Sequence, residues 1–263
     1  GVRFALGSIS LVPLIIYFKN KKTEEQPEKT AAASALVPGI IAGSVLFFGA
    51  SLQQAGLAYT TAGKAAFITG LYIVLVPLLG IFLKQRIGLN TWLGVVLAVS
   101  GLYFLSVNED FTIAFGDLLE IIGAFFWAIH ILVIDHFTKK VDALKLSCVQ
   151  FAMCSVLSII IALIFEDIAI SGIGQAAIPI LYGGLLSVGV AYTLQVVAQK
   201  HAKPSHAAII LSMESVFAAL GGALLLGENL GGRGYLGCAL MFAGMLLTQV
   251  NIFEKKESAE YKA

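Results

Sequence analysis

Long apolar runs alternate along this chain with short polar breaks. Runs of about 17 to 24 largely uncharged residues, long enough to cross a bilayer as a helix, lie near residues 2–18, 37–58, 65–83, 89–107, 117–134, 146–165, 176–199, 206–226 and 234–252. Most connections are as short as YTTAGK, KQRIGL and GENLGGR. They leave no room for a soluble domain and make consecutive spans antiparallel neighbours. The pattern predicts an all-α membrane protein, a polytopic helical bundle of nine spans.

Composition agrees with that solvent. Of 263 residues 58% are hydrophobic and 13% charged, against roughly a quarter charged in ordinary soluble domains, and the mean hydropathy is +0.90. The 17 basic and 16 acidic side chains nearly cancel, so no nucleic-acid partner is expected. Their placement is uneven. Every Lys and Arg except Arg3, Lys64 and Arg233 falls on one side of the predicted bundle, and the other side carries the acidic segments NED and FED. The positive-inside rule then places the C-terminus in the cytoplasm and, with nine crossings, Gly1 outside. Gly1 begins the first span directly, with no basic segment or small-residue cleavage site before it, so a signal peptide is not expected. Cys148, Cys154 and Cys238 lie in apolar spans without a Cys-x-x-Cys pair and read as small hydrophobes.

A repeat is visible inside the chain. Residues 67–103 align without a gap to 210–246, matching Leu83 with Leu226, Gly88 with Gly231, Leu93-Gly94 with Leu236-Gly237, Leu97 with Leu240 and Gly101 with Gly244, while Trp92 meets Tyr235. The two copies cross the membrane in opposite senses, so the repeats are expected to be inverted, an arrangement used for alternating access. Gly39-x3-Gly43, Gly94-x6-Gly101 and Gly237-x6-Gly244 each place small residues on one helical face, where backbones can approach closely. Pro77, well inside its span, removes a backbone donor; it is the hinge candidate.

Polar side chains within the spans are the candidates for substrate contact: Gln53, Gln54, Thr69, Tyr72, Trp127, His130, Tyr192, Gln195 and Glu214. Tyr192, Gln195 and Gln199 fall on one helical stripe, and Trp127 lies three residues before His130. Glu214 is the sharpest case. About 12 Å in from His206 by helical rise, it stands near the middle of a ~30 Å hydrocarbon core, where an ionisable group is costly and marks a functional site. It is expected to share a polar central cavity with Tyr72, Trp127, His130 and Tyr192 and to handle a proton there. Glu120, about 5 Å inside its span, reads equally as a solvated rim residue beside Asp117. No spacing among His130, His136, His201 and His206 suits a metal, and no cofactor is implied.

The segments AGKAAFITGLYIVLVPLL, AKPSHAAIILSMESVFAALGGALLLGENL and GDLLEIIGAFFWAIHILV resemble the EamA-type branch of the drug/metabolite transporter superfamily, nearly the whole chain taking part. The resemblance implies ten helices in two inverted five-helix halves with both termini cytoplasmic. GVRFALGSISLVPL resembles the second helix of that fold, so the first helix is expected upstream of Gly1. The halves would be residues 1–107 and 108–263. MESVFAAL resembles the family's recurring Glu-Pro-Val-Phe-Ala segment, with Ser215 where proline often stands; Glu228 matches another position of the family, and its place at the outer helix end reads as a loop anchor.

Spans, repeat and resemblance together imply a secondary transporter in the plasma (inner) membrane working by alternating access, and the resemblance alone implies its cargo, small polar or amphipathic metabolites, amino-acid-like ones among them. The lipid bilayer and a small-molecule substrate are its partners, with room left for proton or ion coupling and for a homodimer. The alternatives are a passive channel and an intramembrane enzyme. A channel needs no inverted duplication, and an enzyme would need a Gly-x-Ser-x-Gly elbow or paired intramembrane acids that the sequence lacks.

Overall fold

The computed structural model describes residues 1–25, 34–60, 62–85, 87–106, 115–166, 174–225 and 231–249, among which there is no strand. The first two spans are single helices, α1 (Val2–Glu25) and α2 (Leu36–Gly56). The third is two helices, α3 (Ala62–Gly70) and α4 (Tyr72–Phe82). Three unbroken helices come next: α5 (Leu89–Ser106), α6 (Phe115–Thr138) and α7 (Ala143–Phe165). The seventh span passes from α8 (Ala177–Leu181) through a π-helix (Tyr182–Tyr192) into α9 (Thr193–Gln199). The eighth is again interrupted, as α10 (Pro204–Leu211) and α11 (Met213–Leu225), and α12 (Gly231–Gln249) is the last. Six stretches among the described residues are long and apolar enough to cross a membrane, and Val2–Phe18 and Leu89–Leu105 are shorter apolar helices. α12 has the length, but Gly231-Gly232-Arg233 and Thr248-Gln249 make its ends polar.

Local chemistry sets several of these ends. The Asp142 side chain caps α7, accepting from the backbone N–H of Leu144 at 3.1 Å and of Lys145 at 3.2 Å. Pro204 opens α10, where a missing N–H costs nothing. α4 closes in a Schellman arrangement: Gln85 N–H donates to the Gly80 carbonyl and Lys84 N–H to that of Ile81, both at 2.9 Å. Lys84 takes the left-handed position of that turn with φ of 59°, a place that favours glycine.

The helices gather into two compact units. One comprises Gly1–Ser51 with Val133–Ala202, the other Leu52–Leu132 with Lys203–Ala263. Each draws on both halves of the chain, whereas the expected division at residue 107 follows sequence. A repeat boundary follows the chain; a packing unit collects whichever helices touch.

In the first unit α1 packs on α7 and on the π-helix. Small residues make this possible: a Cβ built on Gly7 would lie 2.9 Å from Val188 Cβ, and one on Gly184 would lie 2.8 Å from Leu6 Cβ. Gly39 and Gly43 of α2 sit as closely on Val149, Gln150 and Met153 of α7. Ser8 Oγ donates to the Cys148 carbonyl at 2.9 Å, a bond internal to lipid-buried helices. Around them Ala42, Ile134, Leu146 and Val196 form an apolar cluster.

The second unit is built on α5 and α12, which run antiparallel and nearly touch. A Cβ on Gly101 would stand 2.5 Å from the Gly237 carbonyl oxygen and one on Gly237 would stand 2.6 Å from that of Gly101; Gly94 and Gly244 repeat the relation at 2.8 and 2.7 Å. The small-residue faces read from sequence are therefore contact faces. Phe67, Ile73, Leu102, Ile209 and Met241 are part of the core beside them.

Candidate functional site

Two interrupted helices meet in the second unit. Ile73 of α4, Ile209 of α10, and Met213 and Val216 of α11 share one buried cluster, and Val76 of α4 shares another with Ala208 of α10 and with Ala128 and Ile131 of α6. Leu71 breaks the third span, its N–H donating to the Ile68 carbonyl at 3.1 Å in a tightened turn. Ser212 breaks the eighth; its hydroxyl bonds back to the Ile209 carbonyl at 2.7 Å, and Ser215 N–H donates to its carbonyl at 3.1 Å. Pro77 lies inside α4, buried, six residues past the break. Pro77, the hinge candidate, thus lies a turn and a half past the change of helix next to Gly70, which falls on the side where a proline ring crowds the preceding turn.

Glu214 comes directly after the second break, in the first turn of α11, and is exposed. The backbone around it stays bonded: Ser212 N–H donates to the Ala208 carbonyl and Ser215 N–H to that of Ser212, both at 3.1 Å. Tyr72, at the start of α4, is half-buried between the two apolar clusters. Trp127 and His130 succeed each other along α6, ring edge to ring face with centroids 6.0 Å apart. His130 is buried and Trp127 half-buried. These four candidates all belong to the second unit.

Tyr192 and Gln195 belong to the first. The Tyr192 ring is 6.4 Å from those of Phe4 and Phe151, which themselves lie 6.3 Å apart, so it closes an aromatic triad at the end of the π-helix. Gln195 is half-buried on α9 and Gln199, one turn on, is buried.

A second polar group links three helices. Thr69 Oγ1, on α3, donates to Glu120 Oε2 of α6 at 2.7 Å, and Gln53 Nε2 of α2 approaches Thr69 Oγ1 at 3.5 Å. Gln53 and Thr69 were singled out by sequence. Glu120 was expected as readily at a solvated rim, and this is corrected: the side chain is 0% exposed. The end of α2 covers it. A Cβ on Gly56 would lie 2.7 Å from Glu120 Oε1, and one on Gly116 would lie 2.8 Å from the Gly56 carbonyl oxygen. Asp117, a turn before, is buried and accepts from Thr60 Oγ1 at 2.5 Å, while the Tyr59 and Phe115 rings meet edge-on at 5.6 Å. Gln54, next to Gln53, is exposed. Glu228 lies outside the described residues. His206 Nε2, weighed above as a metal ligand, is 3.3 Å from Thr91 Oγ1, tying the start of α10 to that of α5.

A family model described as "EamA-like transporter family" matches residues 1–107 and 114–250. An uncharacterized transporter of Archaeoglobus fulgidus is 32% identical over 215 residues, 81% of this chain and 69% of that one. The uncharacterized transporter YoaV of Bacillus subtilis is 24% identical over 264 residues, 97% of this chain and 88% of that one. A solved structure titled only as a crystal structure of a protein aligns with a TM-score of 0.75 at 18% identity, covering 94% of this chain and 84% of that chain. That likeness concerns the fold alone.

Proposed function

The chain belongs to the EamA-like transporter family and is a multi-pass membrane transporter, and from that premise we propose that it is a secondary transporter of small polar or amphipathic metabolites working by alternating access, and not an enzyme. What carries the reading is the packing on one another of two spans that each tighten at a single residue, Leu71 between α3 and α4 and Ser212 between α10 and α11. Both residues keep right-handed helical angles and lie about 12 to 14 Å into their spans. Secondary transporters place helix irregularities near the midplane, at the repeat interface where substrate binds.

The glycine contacts support an inverted duplication. In the sequence alignment Gly94 corresponds to Gly237 and Gly101 to Gly244, yet in space Gly94 meets Gly244 and Gly101 meets Gly237. Exchanged partners of this kind are what a two-fold axis between equivalent helices produces. On this reading residues 1–107 and 108–263 are the two repeats. Glu214, Tyr72, Trp127 and His130, with Gln53, Gln54 and Thr69, are the substrate contacts of the second unit, and Tyr192 and Gln195 keep their place as candidates in the first. The basic bias of the loops supports a plasma-membrane protein with a cytoplasmic C-terminus.

Two measurements test it. A thermal-shift screen against a metabolite panel, amino acids first, should find a ligand that raises the midpoint, since binding to the folded form stabilises it. In liposomes that ligand should then show saturable counterflow. Flux that rises linearly with concentration and shows no counterflow would mean a channel.

A further inference from the structure

Glu120 is a buried carboxyl that is not itself among the substrate contacts above, though Thr69, one of them, is bonded to it. Its Oε2 accepts from Thr69, while Oε1 is buried without a hydrogen-bond partner among the described residues. Nor is a described lysine, arginine or histidine paired with it; Lys139 pairs with Asp135, at the far end of α6. The titratable groups of the packed elements are few. α6 contributes Asp117, whose carboxylate already takes the Thr60 hydroxyl; the chain after α2 contributes Tyr59, edge-on to Phe115; α3 contributes Lys64, whose side chain lies outside the described residues. A carboxylate at zero exposure, with a second carboxylate one turn away, is costly to keep charged, and the least expensive remedy is a proton on the bare oxygen.

The neighbours favour a proton over a metal cation. Thr69 turns its hydroxyl hydrogen to the carboxyl, and its own oxygen faces the Gln53 amide nitrogen. The cluster thus offers donors to one carboxyl, not the six or so oxygens a hard cation requires. Gly56 completes it. With no side chain there, Oε1 is covered by bare backbone, and a methyl group in that place would stand 2.7 Å from it.

We propose that Glu120, held by Thr69 and Gln53 and covered by Gly56, is a proton-binding site of this transporter. Its use in coupling rests on the transport reading above, but its protonation does not, and the two are separable by experiment. The probe is pH alone, monitored by infrared difference spectroscopy of the full chain in lipid. A protonated-carboxyl C=O band should be present and should disappear as pH is raised. Glu120→Gln should abolish it, Glu214→Gln should leave it, and Thr69→Val should shift its frequency because the carboxyl loses its hydroxyl donor. Should Glu120→Gln not fold, the Thr69→Val shift still decides the matter. A band that survives Glu120→Gln, vanishes instead with Glu214→Gln, ignores Thr69→Val, or is absent at every pH where the protein stays folded overturns the proposal. A titrating band in a protein without counterflow would leave the site standing and remove the transporter reading.

Discussion

Gly101 and Gly237 meet backbone to backbone across α5 and α12, each placing its α-carbon where the other's carbonyl oxygen leaves no room for a methyl group. Gly237→Val should therefore push the two helices apart. Overpacking of this kind costs about 1 to 3 kcal/mol, and the thermal midpoint in detergent should fall accordingly. Gly232→Ala, on the same helix with nothing within 4 Å of its Cβ position, is the control and should move the midpoint little.

Lys84 offers the opposite change. At φ of 59° in the turn that closes α4, its side chain is strained where glycine would not be. Lys84→Gly should stabilise the protein by about 1 kcal/mol, seen as a higher midpoint. A lower midpoint would show that the lysine contributes through its charge instead.

Membrane orientation can be read by chemical labelling. The distribution of Lys and Arg predicts that single cysteines at Lys140 and Lys203 are shielded from an impermeant thiol reagent in intact cells, while those at Asp110 and Gly232 react. Gly232 is the better position than Gly231, whose φ of 59° any side chain would resist. The reverse labelling pattern would invert the topology.

Glu214 is expected to act on substrate. Glu214→Gln keeps the shape at the start of α11 and should leave the midpoint nearly unchanged. Losing a charged hydrogen bond to substrate, worth about 1.5 to 3 kcal/mol, should weaken binding of the best thermal-shift ligand by about tenfold or more. Unaltered binding would assign the carboxylate to the helix end alone.

Gly56→Ala tests how the Glu120 pocket is closed. The added methyl would meet Oε1 and Cγ at 2.7 and 2.9 Å. The carboxyl must shift, so the variant should lose about 1 to 3 kcal/mol and also move the carboxyl infrared band. Destabilisation without a band shift would separate packing from the proton site.

The spans were legible because membrane helices announce themselves by unbroken hydrophobicity, and each predicted run falls on one helical stretch, though the first helix continues past residue 18 to Glu25. The interruptions were not. Leu71 and Ser212 are ordinary helical residues, and the visible breaker, Pro77, lies beyond the first gap; Gly70 was the signal available. Glu120 was misjudged because distance from the helix end was the only guide to its exposure. The residue that decides its role, Thr69, is 51 positions away in sequence, and no periodicity connects them. Tyr192 was read from its stripe as a substrate-contact candidate, but its aromatic neighbours, Phe4 and Phe151, come from two other helices and no spacing along the seventh span points to them.

The π-helix at Tyr182–Tyr192 bears on how relatives should be compared with this chain. A π-helix turns less per residue than an α-helix, and here the buried positions Gly184, Val188, Gly189 and Thr193 recur at four to five residues instead of three to four. Helical-wheel phase is lost across the segment. A relative whose seventh span is α-helical throughout would carry its counterpart of Tyr192 on a different face, even where the two sequences align without a gap. Residues after the segment, Gln195 among them, should be matched by what they touch and not by counting from the start of the span.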